Sequence, residues 1–93
     1  MADTAVTIFL DRVRADGDRP ALRVLAAGGA PRDETLTWRE WAARSRSFAA
    51  ALVAAGLRRG EHVAILAGNG VEWPVADLGV MMAGGVSVGI YPT

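Results

Sequence analysis

The sequence predicts an α/β fold: a helix, a β-hairpin, a second helix and then a parallel β-α-β unit. Three observations predict it. Residues 63–66 and 86–90 are short runs that are apolar nearly throughout, the pattern of strands covered on both faces in a parallel sheet. The segment between them suits a crossover helix, and a right-handed crossover sets the two strands parallel. Residues 37–55 carry apolar side chains at helical spacing behind a capping signature. The sequence stops at Thr93, directly after the second apolar run, before anything could cover that sheet. It is therefore expected to be the opening piece of a larger protein.

Each element has its own local reason. Thr4 is suited to cap a first helix, and Val6, Phe9, Leu10 and Val13 form its apolar stripe. Gly17 ends that helix and Pro20 prevents its resumption. Residues 21–25 read as a strand with Leu22 and Val24 on one face, and residues 26–32, with Gly28-Gly29 and Pro31, as a loop. Residues 34–37 return antiparallel as the second arm of the hairpin. Thr37 and Glu40 then form a T-x-x-E capping box. Trp38, Trp41, Ala42, Phe48, Ala49, Leu52 and Val53 share one face of the following helix, with Arg39, Arg44, Arg46 and Ser47 off it. Gly56 suits the left-handed position after the last turn, and residues 58–61 form a turn. After the strand at 63–66, Asn69 and Glu72 have the spacing of a second capping box. Pro74 falls in the first helical turn, where its missing N–H has no partner to lose. Gly84-Gly85 stops this helix near Ala83.

Composition excludes several function classes. The chain has 93 residues, one small domain at most, and a domain of this size buries roughly 60–65% of its unfolded surface. Net charge is zero, so no electrostatic case exists for nucleic acid or an anionic membrane. All 10 cationic residues are Arg, which removes lysine as phosphate ligand, Schiff-base former or general base. There is no Cys, and His62 is the only His, so thiolate and His-rich metal sites are excluded. Charges interrupt the N-terminal apolar residues, unlike a secretory signal. Residues 74–90 are too short for a membrane span and contain Asp77 and Gly84-Gly85. A cytoplasmic protein without a transmembrane segment is expected.

No motif carries chemistry by itself. Gly68-Asn69-Gly70 lies between a strand and a helix, but the dinucleotide fingerprint needs a third Gly where Trp73 stands. An ordinary turn and helix cap explain these residues better. There is no G-x-x-x-x-G-K-[ST] phosphate loop and no G-x-S-x-G elbow. Ser45, Ser47 and Ser87 lack a His partner, since His62 is expected to point to water from the end of its strand. Glu40 is committed to the cap. Asp77 reads as solvent-facing or paired, Trp38 and Trp41 as core anchors, and Arg44 and Arg46 as a solvated face. No catalytic, cofactor-binding or metal-binding residue is assigned.

Several strings, taken together, resemble one family. They are Leu36-Thr37-Trp38, Ala51-Leu52 with Gly56-Leu57, and Gly60-Glu61-His62-Val63-Ala64-Ile65-Leu66. Asn69 with Glu72-Trp73, Ala83-Gly84-Gly85 and Gly89-Ile90-Tyr91-Pro92-Thr93 continue the pattern. From about Thr4 onward the chain resembles the N-terminal start of the AMP-forming adenylating enzymes, most closely the acyl-CoA synthetases of the long-chain fatty-acid type. The resemblance implies a parent that uses ATP, Mg²⁺ and coenzyme A. It would convert a fatty acid to an acyl-adenylate and then to a thioester. The family's Ser/Thr/Gly-rich loop with Lys, its aromatic-Gly-x-Thr-Glu motif, its ribose-binding Asp and its C-terminal Lys have no counterpart in this sequence. The resemblance thus implies that residues 1–93 are an incomplete, non-catalytic N-terminal part of the adenylate-forming domain, with no second domain. Their partner would be the domain's downstream strands and helices, and the first helix and hairpin would pack outside the sheet. Two other readings stand beside it: a stand-alone α/β interaction or regulatory module without ligase chemistry, and a nucleotide-binding half-domain.

Overall fold

The computed structural model describes residues 4–25, 33–67 and 70–90. Helix α1 (Ala5–Asp16) starts in a reciprocal cap: the Thr7 N–H donates to the Thr4 hydroxyl at 3.1 Å, and the Thr4 N–H donates to the Thr7 hydroxyl at 2.7 Å. Phe9 is buried, and Val6, Leu10 and Val13 pack beside it, the stripe expected from their spacing. Gly17 does not adopt the left-handed conformation usual after a helix; its φ is −49°. It is buried beside the Arg39 side chain, which occupies the space a Cβ would need. The Arg39 N–H donates to the Gly17 carbonyl at 3.0 Å. The start of the second helix thus lies against this turn.

Strands β1 (Pro20–Val24) and β2 (Glu34–Thr37) form the antiparallel hairpin, with Leu22 opposite Leu36 and Val24 opposite Glu34. β1 begins at Pro20, one residue earlier than the sequence suggests, because Pro20 pairs with Thr37; the first position of a strand tolerates a missing N–H. The loop expected over residues 26–32 lies outside the described residues.

Helix α2 (Trp38–Ala54) opens on the predicted capping box. The Glu40 N–H donates to the Thr37 hydroxyl at 3.1 Å, and the Thr37 N–H donates to a Glu40 carboxylate oxygen at 2.9 Å. It closes on Gly56 at φ 101°, where the Gly56 N–H reaches the Val53 carbonyl and the Leu57 N–H the Leu52 carbonyl, a Schellman motif. The turn that follows places Gly60 at φ 84° and joins the Arg58 carbonyl to the Glu61 N–H at 3.1 Å.

Strand β3 (His62–Ile65), helix α3 (Glu72–Met82) and strand β4 (Val86–Gly89) form the parallel β-α-β unit, with Ala64 opposite Val88. Both strands differ slightly from expectation. β3 starts and ends one residue early because pairing begins where the Val86 N–H donates to the Glu61 carbonyl, and Leu66 falls just beyond it. Of the expected Asn69–Glu72 capping box, only Glu72 is among the described residues. Asn69 lies outside the described residues, and Val71 is the N-cap, without a side-chain cap bond. Glu72 is therefore the first helical residue rather than the third, the position from which it could reach back. Pro74 does sit in the first turn. A second Schellman motif at Gly84, φ 86°, ends α3 and delivers the chain to β4.

The helices, rather than the parallel sheet, receive the N-terminal elements. α3 packs on β3 and β4, α2 packs on α3, and the hairpin and α1 pack on α2. α1 and the hairpin thus sit outside the sheet, as expected, and reach it only through the helix layer. Phe9, Trp38 and Trp41 cluster with ring centroids 4.8–5.9 Å apart over Ala42 and Leu78. Where α2 crosses α3, Ser45 is fully buried and its hydroxyl donates to the Val75 carbonyl at 2.9 Å. The Trp41 Nε1–H donates to the Pro74 carbonyl at 3.1 Å. Val53, expected on the buried face of α2, is 57% exposed because α3 crosses one turn and more before it, at Ser45 and Phe48.

Two predictions follow from this packing. A Cβ on Gly79 would stand 2.8 Å from Phe48 Cδ2 and 2.9 Å from the Ser45 carbonyl oxygen. Gly79→Ala should therefore destabilise the chain by about 1–3 kcal/mol, although Ala favours a helix over Gly by about 1 kcal/mol. Urea unfolding measures it, and a neutral or stabilising result contradicts the close crossing. The second concerns Glu40, whose carboxyl is held below its usual 4.5 by the Thr37 backbone N–H and then by the Thr37 side chain. A depressed pKa means that the carboxylate stabilises the fold above the unfolded value and ceases to do so as pH falls through the folded one. Glu40→Gln should lower the melting temperature at pH 7, and its difference from the parent chain should shrink on acidification below pH 4.5. A difference that stays constant down the pH scale contradicts the cap's ionic character.

Candidate functional site

The polar residues singled out in the sequence are spread over the molecule in structural roles. Gly68 and Asn69 lie outside the described residues. Gly70 is half-buried beside the Glu72 carboxylate, and Trp73, standing where a dinucleotide site would need glycine, occupies the first turn of α3. His62 is exposed at the start of β3, as its position suggested. Asp77 is half-buried and accepts a hydrogen bond from the Ser87 hydroxyl, which ties α3 to β4. Ser45 is consumed by the helix crossing and Glu40 by the cap. Arg44 reaches Glu34 at 3.4 Å across the surface, and Arg46 and Ser47 are exposed. Among the described residues, no three His, Cys, Asp or Glu side chains are grouped to hold a metal ion.

Sequence reasoning missed Ser45, because a hydroxyl within an amphipathic pattern reads as polar. The available signal was its spacing: Ser45 lies three residues after Ala42 and four before Ala49, on the same helical stripe. Small residues at that stripe let a second helix approach closely, and Gly79 on α3 is their counterpart.

A groove of about 700 Å³ runs along α1 beside Trp38, lined mainly by Ala5, Ile8, Phe9 and Ala15. Its two charged residues are already paired, Asp11 with Arg14 and Arg12 with Asp16, at 2.8 and 2.7 Å. No unpaired polar groups converge there to orient a ligand.

The candidate functional surface is the outer face of the parallel pair. Val63 and Ile65 turn toward α3, and alternate residues must therefore turn away. The register brings Ala64 beside Val88, and the Ile90 N–H bond to the Ile65 carbonyl, 2.9 Å, carries the same row on to Leu66 and Ile90. Leu66 is 70% exposed, Val86 45%, Val88 41% and Ile90 46%. Ala64 is exposed as well, so five apolar side chains share a face that no described residue covers. Each strand of the pair also has one free edge among the described residues. Apolar strands with open edges and one bare face are suited to receive further strands and a covering layer.

Known proteins show the same architecture within much larger chains. The fatty acyl-adenylate ligase of Legionella pneumophila, solved with acyl adenylate and pyrophosphate, superposes with a TM-score of 0.84 at 28% identity, over 94% of this chain and 15% of that one. The N-terminal subdomain of Klebsiella oxytoca NpsA gives a TM-score of 0.82 at 27% identity, over 97% of this chain and 22% of that one. In sequence, the chain is 40% identical to the rat long-chain-fatty-acid–CoA ligase ACSBG2 over 90 residues, which are 97% of this chain and 13% of that ligase. It is 34% identical to an Escherichia coli long-chain-fatty-acid–CoA ligase over 88 residues, 94% of this chain and 14% of that ligase. The chain thus spans about one seventh of the length of these relatives. The profile of the AMP-binding enzymes matches residues 9–93, nearly the whole of the sequence. With helix, hairpin, helix and parallel pair arranged as in the N-terminal domain of adenylating enzymes, this chain belongs to the AMP-binding enzyme family, the AMP-forming ligases.

Proposed function

We propose that these residues are the incomplete N-terminal part of the adenylate-forming domain of a cytoplasmic, ATP-dependent fatty-acid–CoA ligase, and that they build its wall rather than its active site. In the parent, a fatty-acid carboxylate oxygen attacks the α-phosphorus of ATP, and the bond to the bridging oxygen breaks to release pyrophosphate. The coenzyme A thiol sulfur then attacks the acyl carbonyl carbon of the adenylate, loses its proton and displaces AMP. Both steps need cationic stabilisation of developing phosphate charge, which Mg²⁺ and lysine supply when present.

The residues here do not fit a nucleotide–metal site. The sequence has no lysine, and among the described residues no three His, Cys, Asp or Glu side chains are grouped to hold a metal ion. No step is therefore routed through this chain. The observation that carries the reading is the bare row of Ala64, Leu66, Val86, Val88 and Ile90 on a parallel strand pair. Its partner is the downstream part of the same domain, whose strands extend the sheet and whose helices close over it. No helix among the described residues is long and apolar enough to cross a membrane.

Two experiments test this. A chain extended to the length of its relatives should catalyse fatty-acid-dependent exchange of labelled pyrophosphate into ATP and then form acyl-CoA, while residues 1–93 alone give neither. Exchange by residues 1–93 alone overturns the division of labour, and an extended chain inactive with every fatty acid tested overturns the ligase reading. The surface is tested separately by Val88→Lys. In the 93-residue chain it should change stability by no more than about 0.5 kcal/mol, because the side chain already meets water. In the extended chain, the same unpaired charge becomes buried and should cost several kcal/mol or prevent folding. Equal effects in both chains would show that nothing further covers this face.

A further inference from the structure

We draw no further inference here: the strongest candidate, the exposed apolar face that Ala64, Leu66, Val86, Val88 and Ile90 form on the β3–β4 pair, belongs to the surface already described, and nothing in the structure shows a second occupant for it.

Discussion

The crossing of α2 over α3 supports the rest of the molecule. Among the described residues α3 is the helix that packs on both parallel strands, and α2 holds it in place. Ser45 and Gly79 are small enough to bring the two backbones together, and the Trp41 and Ser45 donors bond to two carbonyls in the first turn of α3. These hydrogen bonds are buried or half-buried. They fix the rotation and height of α3 on α2, a specificity that apolar contact alone does not provide. The Phe9–Trp38–Trp41 cluster closes the same junction from the α1 side.

That arrangement determines where function can reside. The helices occupy one side of the parallel pair and leave the other side to water, while the pair's sequence is that of strands buried on both sides. Several polar side chains are used in holding the fold: Glu40 and Thr37 in a cap, Ser45 in the crossing, Asp77 and Ser87 between helix and strand. The surface ion pairs, such as Arg44 with Glu34, add little to stability because water screens them. Membership of the AMP-binding enzymes gives this distribution a reason. This chain spans only about one seventh of its ligase relatives.

Local physics made most of the fold readable in the sequence. The Thr37–Glu40 box and Gly56 are backbone requirements met by nearest neighbours, and the α2 start they define coincides with the observed one. β2 was likewise legible, since Leu36 lies between polar neighbours and before a cap. What escaped was decided by distant contacts. Ser45 is buried and Val53 exposed because of where α3 crosses, and no pattern within α2 encodes that point. Gly17 takes a right-handed conformation under the Arg39 side chain rather than the left-handed one its place after a helix suggested. The helix start at Glu72 was misplaced because spacing alone suggested a cap that Val71 replaces. The candidate site was legible as an oily strand pair, but its one-sidedness emerged only from the packing of α3.

Amide hydrogen exchange over residues 62–66 and 86–90 bears most directly on the central claim, that this strand pair is finished by other parts of an adenylating domain. It should be compared between the 93-residue chain and a chain of the relatives' full length. Exchange should be fast in the short chain, where each strand has a free edge, and strongly slowed in the long one, where added strands and a covering layer shield the same amides. Equal protection of these residues in both chains would contradict the claim.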